Sequence, residues 1–172
     1  TLTIASGKDA LHSENAEDES LGYIYMQNGT LTINAADDAI RGNSFVQIDG
    51  GTIGITACLE GIEATRVIIN GGQITLNAKD DGINATRKVN ADVEIIINGG
   101  TINIKMGSGD TDAFDTNGDI TVNGGTITVT AGSAFDADGS AVLVAGEVTV
   151  NGVKITQITV TQGGGFGGRP RR

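Results

Sequence analysis

The sequence predicts an all-β chain wound as a right-handed parallel β-helix, a solenoid of about six to seven coils. Three observations predict it. A glycine-bounded motif recurs along the chain, each copy sits between two short runs with a hydrophobic period of two, and an acidic motif follows each second run.

The glycine motif is Asn-Gly-Gly-Thr-Ile or a close variant. It stands at Asn28 to Leu31, Asp49 to Ile53, Asn70 to Ile74, Asn98 to Ile102 and Asn123 to Ile127, with a degenerate copy from Asn151 to Ile155. Counted from the residue after the glycines, the copies begin at Thr30, Thr52, Gln73, Thr101, Thr126 and Lys154, so the spacings are 22, 21, 28, 25 and 28. Coils of a solenoid with loops of variable length produce such a series. The Gly-Gly pairs permit the positive φ angles of a sharp corner.

The runs before and after the glycines are too short for helices and alternate as strands do, as in Val67-Ile68-Ile69-Asn70 followed by Gln73-Ile74-Thr75-Leu76. Aligned by coil, they give three inward stacks. The first holds Ile24, Val46, Val67, Ile95, Ile120 and Val148; the second Met26, Ile48, Ile69, Ile97, Val122 and Val150; the third Leu2, Leu31, Ile53, Ile74, Ile102, Ile127 and Ile155. Thr30, Thr52, Thr101 and Thr126 are expected to face outward, where threonine suits a pleated, solvated surface. An antiparallel meander is the alternative, since glycine-bounded alternating strands also mark hairpins. Hairpins do not require every second strand to repeat one sequence, which favours the helix.

The acidic motif is an acid, a small residue, a bulky apolar one, a polar one and a small one. Its copies begin at Asp9, Asp38, Glu60, Asp81, Asp112 and, with the acid replaced, Ser133. Leu11, Ile40, Ile62, Ile83, Phe114 and Phe135 then form a further inward stack. With neighbouring coils about 4.8 Å apart, Asp38, Glu60, Asp81 and Asp112 lie in one file, with Asp37 and Asp80 beside it. His12, Arg41, Glu63, Asn84, Asp115 and Asp136 lie in a second file three residues on. Two unit charges about 5 Å apart repel by ~3 kcal/mol at an effective dielectric of 20, and a cation between coils removes that cost.

The donors are carboxylates, Asn84 and backbone carbonyls, all oxygen, so a hard ion is expected, and irregular loops suit calcium better than the octahedral demand of magnesium. Zinc lacks its usual nitrogen and sulfur ligands. The candidate metal ligands are Asp37, Asp38, Glu60, Glu63, Asp80, Asp81, Asn84, Asp112, Asp115 and Asp136. Asp115 to Asp119 and Asp136 to Gly139 also look like fragments of calcium loops, without the later Glu or flanking helices of an EF-hand. The competing reading is a set of solvated loop acids, some paired with Arg41, Arg66 or Arg87.

The remaining residues narrow the function. Arg66 and Arg87 each follow an Ala-Thr pair one coil apart; with Arg41 they are the candidate contacts for a carboxylated sugar, unless they pair with the acidic loops. His12, the sole histidine, has no evident nucleophile partner and reads as a surface residue. Cys58, the sole cysteine, is expected to pack as a small apolar group and says nothing about redox compartment. Tyr25 faces outward and Tyr23 precedes its strand, so either can stack on a sugar ring, but the chain has no tryptophan.

Length and composition set the outer bounds. The 172 residues fit one domain, expected over residues 1–161, followed by a Gly-rich basic tail over 162–172. The formal charge of −10 disfavours nucleic acid and anionic membranes. The sequence has neither an 18-residue apolar run nor a visible leader, and because it opens in the strand pattern Thr1 to Ile4 we expect upstream residues to have been removed or left out.

With Glu60-Gly-Ile-Glu-Ala64, Asp80-Asp-Gly-Ile-Asn-Ala85 and Phe114-Asp-Thr-Asn-Gly-Asp-Ile-Thr-Val-Asn-Gly-Gly125, the chain resembles the polysaccharide-lyase-like carbohydrate-binding β-helix proteins of bacteria over residues 1–150. The resemblance implies a secreted, calcium-containing protein that binds cellulose and acidic sugars such as pectin fragments, without established lyase activity, with calcium at the acidic-loop positions. The chain departs from that pattern in the acidic insertion Glu14 to Ser20, in Cys58, and in the last coil from Val148 to Val160.

The expected function is thus non-catalytic carbohydrate binding outside the cell or at its surface, with calcium holding the loops and a polysaccharide or acidic oligosaccharide as partner. One alternative is a pectate-lyase-like eliminase with Arg66 or Arg87 as base. The other is a self-assembling surface or filament subunit stacking end to end through unpaired strand edges.

Overall fold

The structure is a computed structural model that describes residues 1–160 apart from Ala16 and Asp110. The expected tail at 162–172 and the boundary at 161 lie outside the described residues. Twenty strands and no helix occur among the described residues.

The strands form three sheets, and the chain visits the sheets in turn. The first sheet contains Leu2–Ser6, Thr30–Ala35, Thr52–Ala57, Gln73–Ala78, Thr101–Met106, Thr126–Thr130, Glu147–Val150 and Val153–Ile155. The second contains Leu11–Ser13, Ile40–Gly42, Ile62–Ala64, Ile83–Ala85, Asp112–Thr116 and Ser133–Ala137. The third contains Ile24–Met26, Phe45–Ile48, Arg66–Ile69, Glu94–Ile97, Asp119–Val122 and Ala141–Leu143. Each strand pairs in parallel with the strand of the same sheet one pass later, and the pairing Val148 to Ile155 is the one antiparallel exception among the described residues. An antiparallel meander is therefore excluded.

Register follows the sequence periodicity because each sheet buries one face, and a slip of one residue would turn every Ile and Val outward. Ile24 pairs with Val46 and Ile95 with Val67 and Ile120; Leu31 pairs with Ile53, and Ile102 with Ile74 and Ile127. From Val46 to Val129 the inward positions are almost fully buried, while Thr30, Thr52, Thr101 and Thr126 are exposed as expected. Phe114 and Phe135 stack at 5.1 Å with their rings 7° apart, filling the last two positions of the Leu11 stack.

Two expectations fail at the ends. The degenerate copy at Asn151 was aligned as a further parallel coil, which placed Val148 and Val150 with Ile120 and Val122. In the structure Ala141 and Leu143 pair with those residues, Val148 and Val150 pair with Ile127 and Val129, and Val153–Ile155 folds back as a hairpin. The last spacing is then Thr126 to Glu147, 21 residues rather than 28. The cause is local: Asn151, at φ 51°, and Gly152, at φ 81°, form the tight reversal that an Asn-Gly pair favours. At the other end Leu2, assigned inward, is 53% exposed because its strand is the outermost of the first sheet.

The Gly-Gly corner has a steric reason as well as a conformational one. Gly51 has φ +90°, and a Cβ there would stand 2.6 Å from the Gly29 carbonyl oxygen of the preceding pass. Beside the corner, asparagines from successive passes form a ladder. The Asn70 side-chain amide donates to Asp49 Oδ1 at 2.7 Å, Asn98 donates to Asn70 Oδ1 at 2.7 Å, and Asn123 donates to Asn98 Oδ1 at 2.8 Å.

Candidate functional site

The acidic motif supplies the strands of the second sheet, and its spacing produces the two expected files. Leu11, Ile40, Ile62, Ile83, Phe114 and Phe135 point inward in register. That register sets His12 beside Arg41, Arg41 beside Glu63, Glu63 beside Asn84, Asn84 beside Asp115 and Asp115 beside Asp136. The small residue after each acid is a packing requirement. A Cβ at Gly61 would collide with Leu76 and with the Gly82 carbonyl, and one at Gly82 would stand 2.5 Å from the Ala113 carbonyl oxygen.

Two trios of carboxylates, sharing Asp38, bring their oxygens within 4.8 Å of one another among the described residues: Asp9, Asp37 and Asp38, and Asp38, Glu60 and Glu63. Asp38 and Glu63 are buried, Glu60 is half-buried and Asp37 is exposed. Asp9 heads the first copy of the motif but is not among the candidate ligands read from the sequence; its place in the repeat is the signal that would have added it. Asp80, Asp81, Asp112, Asp115 and Asp136 lie further along the same face without forming such a trio among the described residues.

Burial governs the electrostatics. Loss of solvent, reinforced by Glu63 and Asp9, pushes Asp38 up to about 7 even though Arg41 opposes it. Burial first, then Glu63, Asp38 and Asp81, pushes Glu60 up to about 8. Burial and Asp115 push Asp81 up to about 7, and burial with Asp112 and Asp136 pushes Asp115 up to about 6. These four acids share a face from which water is largely removed while the neighbouring charges are of the same sign.

Arg41 lies in the second file, as expected, where Nη1 is 3.3 Å from Asp38 Oδ2 and Nε is 3.4 Å from Glu63 Oε2. Lys88 Nζ reaches Glu63 Oε1 at 2.6 Å. Lys88 escaped sequence reasoning because it lies in the 87–93 segment, which has no counterpart in the shorter coils. Glu63 Oε2 and Asn84 Oδ1 are buried and have no hydrogen-bond partner, the Arg41 contact to Oε2 being an ion pair without hydrogen-bond alignment. Asn84 donates its amide to Glu60 Oε2 at 3.2 Å, while its own oxygen accepts no hydrogen bond.

Arg66 and Arg87 do not remain equivalent. Arg66 opens a strand of the third sheet beside Phe45 and Glu94, and its Nε donates to Glu94 Oε1 at 2.7 Å. Arg87 is exposed in the connecting segment. His12 is tied to Asp9, Nδ1 to Oδ2 at 2.9 Å. Tyr25 donates its hydroxyl to Asp49 Oδ2 at 2.6 Å, while Tyr23 stacks on Phe45 at 4.8 Å.

The all-β scaffold of parallel sheets displays an oxygen-rich acidic face, with its sole histidine held by Asp9. The family model described as carbohydrate-binding domain-containing protein matches residues 1–113, about two thirds of the chain, and the chain belongs to that family. No curated protein and no solved structure matches it.

Proposed function

We propose that the chain is a right-handed parallel β-helix serving as a non-catalytic, extracellular carbohydrate-binding module in which calcium bridges the acidic files and presents itself to acidic sugars. Family membership supports sugar binding. The observation that carries the metal is the buried Asn84 Oδ1, which has no hydrogen-bond partner, beside the Asp38, Glu60 and Glu63 trio; Glu63 Oε2, likewise without a hydrogen bond, has only the Arg41 ion pair at 3.4 Å. An unsatisfied buried acceptor costs roughly 1–3 kcal/mol, and a cation at Asn84 Oδ1 removes that cost.

The donor set fits calcium, being entirely carboxylate and amide oxygen. Asp38, Glu60, Glu63 and Asn84 would hold the ion, with Asp9 and Asp37 beyond them. Calcium there would neutralise the file and offer a positive charge to a uronate carboxylate.

The test is calorimetric. Calcium is titrated into chelator-treated protein and then oligogalacturonate is added, with wild type compared with Asp38→Asn and Asp81→Asn. Saturable calcium uptake weakened by the first substitution, followed by calcium-dependent sugar binding without unsaturated product, is the expected result. No calcium uptake would return the acids to the status of loop charges, and unsaturated product would make the protein a lyase.

A further inference from the structure

Two of the chain's own cations already sit on the Asp38, Glu60 and Glu63 trio. Lys88 Nζ stands 2.6 Å from Glu63 Oε1, with the lysine side chain 14% exposed and the glutamate side chain 8%. The other carboxylate oxygen, Oε2, faces Arg41 Nε at 3.4 Å. Protein cations thus engage both oxygens of Glu63. Calcium takes its oxygen ligands at roughly 2.3–2.6 Å, so an ion on Glu63 Oε1 would lie against the ammonium, and at a buried site water and salt screen that repulsion little.

The two cations are held differently. Arg41 belongs to the repeat: it lies on the strand Ile40–Gly42 and donates from Nη1 to Asp38 Oδ2. Lys88 comes from the 87–93 insertion, whose main chain is fixed without help from the ammonium. The buried Thr65 hydroxyl oxygen accepts from Lys88 N at 2.9 Å and from Val89 N at 3.2 Å. Asn90 N donates to Glu19 Oε2 at 3.1 Å on the 14–23 insertion, across the cleft by Phe45 that the two insertions frame. With the backbone pinned at three successive residues, the flexible four-carbon stem of Lys88 can carry the ammonium to solvent by rotamer changes alone.

Departure of the ammonium frees Glu63 Oε1 beside Asn84. Asn84 is 7% exposed, its Oδ1 accepts no hydrogen bond, and its amide donates to Glu60 Oε2 of the same trio. An ammonium brings one charge and only donors, which cannot serve as more than a partial match for several carboxylates. A divalent ion brings two charges and takes Glu63 Oε1, Asn84 Oδ1 and the rest of the trio as ligands together. By linkage, the ammonium and the ion each weaken the other's hold by the same factor.

We propose that Lys88 is a tethered competitor for calcium: its ammonium closes the site in the metal-free protein, moves to solvent when calcium enters, and so sets the calcium concentration at which the acidic files load. The proposal rests on the calcium reading given above and names what regulates that site.

The test uses the whole chain in two measurements. In the first, wild type is treated with a lysine-acetylating reagent in chelator and in calcium, and the initial rate at each lysine is read by peptide mass spectrometry. Exposed Lys105, on the first sheet, should react alike in both conditions, and Lys88 at least tenfold faster in calcium. In the second, calcium is titrated by calorimetry into wild type, Lys88→Gln and Lys88→Arg, each shown to be folded by circular dichroism. Lys88→Gln should bind calcium at least tenfold more tightly than wild type, and Lys88→Arg, which keeps the charge, should not. Calcium uptake by wild type with Lys88 still protected from the reagent would overturn the competitor while leaving the calcium reading standing, as would equal affinities for wild type and Lys88→Gln. The labelling needs no variant, so it decides the matter if Lys88→Gln does not fold. Absence of calcium uptake by both wild type and folded Lys88→Gln would overturn both readings.

Discussion

Arg41 Nη1 lies 3.3 Å from Asp38 Oδ2, yet Asp38 holds its proton up to about pH 7. One guanidinium does not offset burial together with Glu63, Asp9 and Asp37. Asp38, Glu60, Asp81 and Asp115 all bind a proton more tightly folded than unfolded, so the stability they confer is full below about pH 4 and is lost as pH rises through 6 to 8. Asp49 and Asp119, held below the usual carboxylate range by hydrogen bonds, act in the opposite sense but are exposed and contribute less. Chelator-treated protein should therefore melt at least about 4 °C lower at pH 8 than at pH 5, a shift of roughly 1 kcal/mol or more for a domain of this size. A Tm that rises over that range would show that the files are not desolvated.

Neutralising one acid separates the two roles of the file. Glu60→Gln removes a charge that burial and three acidic neighbours oppose. In chelator at pH 8 it should raise Tm by about 2–4 °C, and it should weaken calcium uptake at least tenfold in the same preparation. A loss of stability without calcium would mean that Glu60 acts through its hydrogen bond from Asn84 instead.

The parallel sheets and their register were legible because Ile, Val and Leu recur every second residue beside a Gly-Gly corner, and burial of one face leaves no other register. The acid file was legible for the same reason, since its apolar neighbour at Ile40, Ile62 and Ile83 is locked inward. What the repeat could not reveal lies where the repeat is interrupted. Lys88 and the cleft by Phe45 are created by insertions that come together only across passes, and the Val153–Ile155 hairpin comes from a reversal at Asn151 whose sequence imitates the repeat. Arg66 carried a sugar-binding expectation, but its pairing with Glu94 depends on the length of the 87–93 segment, which spacing alone does not give.

The asparagine ladder should behave as a chain of bonds. Asn98 sits mid-ladder, donating to Asn70 and accepting from Asn123, so Asn98→Ala removes two side-chain bonds. At about 0.5–1.5 kcal/mol for each bond, the loss should be about 1–3 kcal/mol in denaturant unfolding. Asn123→Ala breaks the single rung to Asn98 and should cost about half as much. Equal costs would mean that the ladder adds nothing beyond local turn geometry.

Gly61 tests the small position of the acidic motif. Ala39 and Ala113 accommodate a methyl group there in other passes, whereas at Gly61 it meets Leu76 and the Gly82 carbonyl. Gly61→Ala should destabilise the protein by about 1–3 kcal/mol through overpacking, although alanine normally improves on glycine outside turns. Partial rescue by Leu76→Val, which shortens the opposing side chain, would identify the contact responsible.

Cys58 replaces a loop residue yet is 2% exposed, and its thiol donates toward the Asn77 carbonyl oxygen at 3.4 Å. Burial, with Asp38 and Glu60 nearby, pushes the thiol up to about 12, so the reactive thiolate is scarce at neutral pH as well as shielded. A thiol reagent should leave the folded protein unmodified over hours at pH 8 and label it fully in denaturant. Cys58→Ser keeps the volume but puts a stronger hydrogen-bonding group among apolar neighbours, and should cost about 1–3 kcal/mol, whereas Cys58→Ala forfeits only sulfur packing and should cost less. Fast labelling of the native state would mean that the loop opens around Cys58, and the acids beside it would then be better solvated than their raised proton affinity requires.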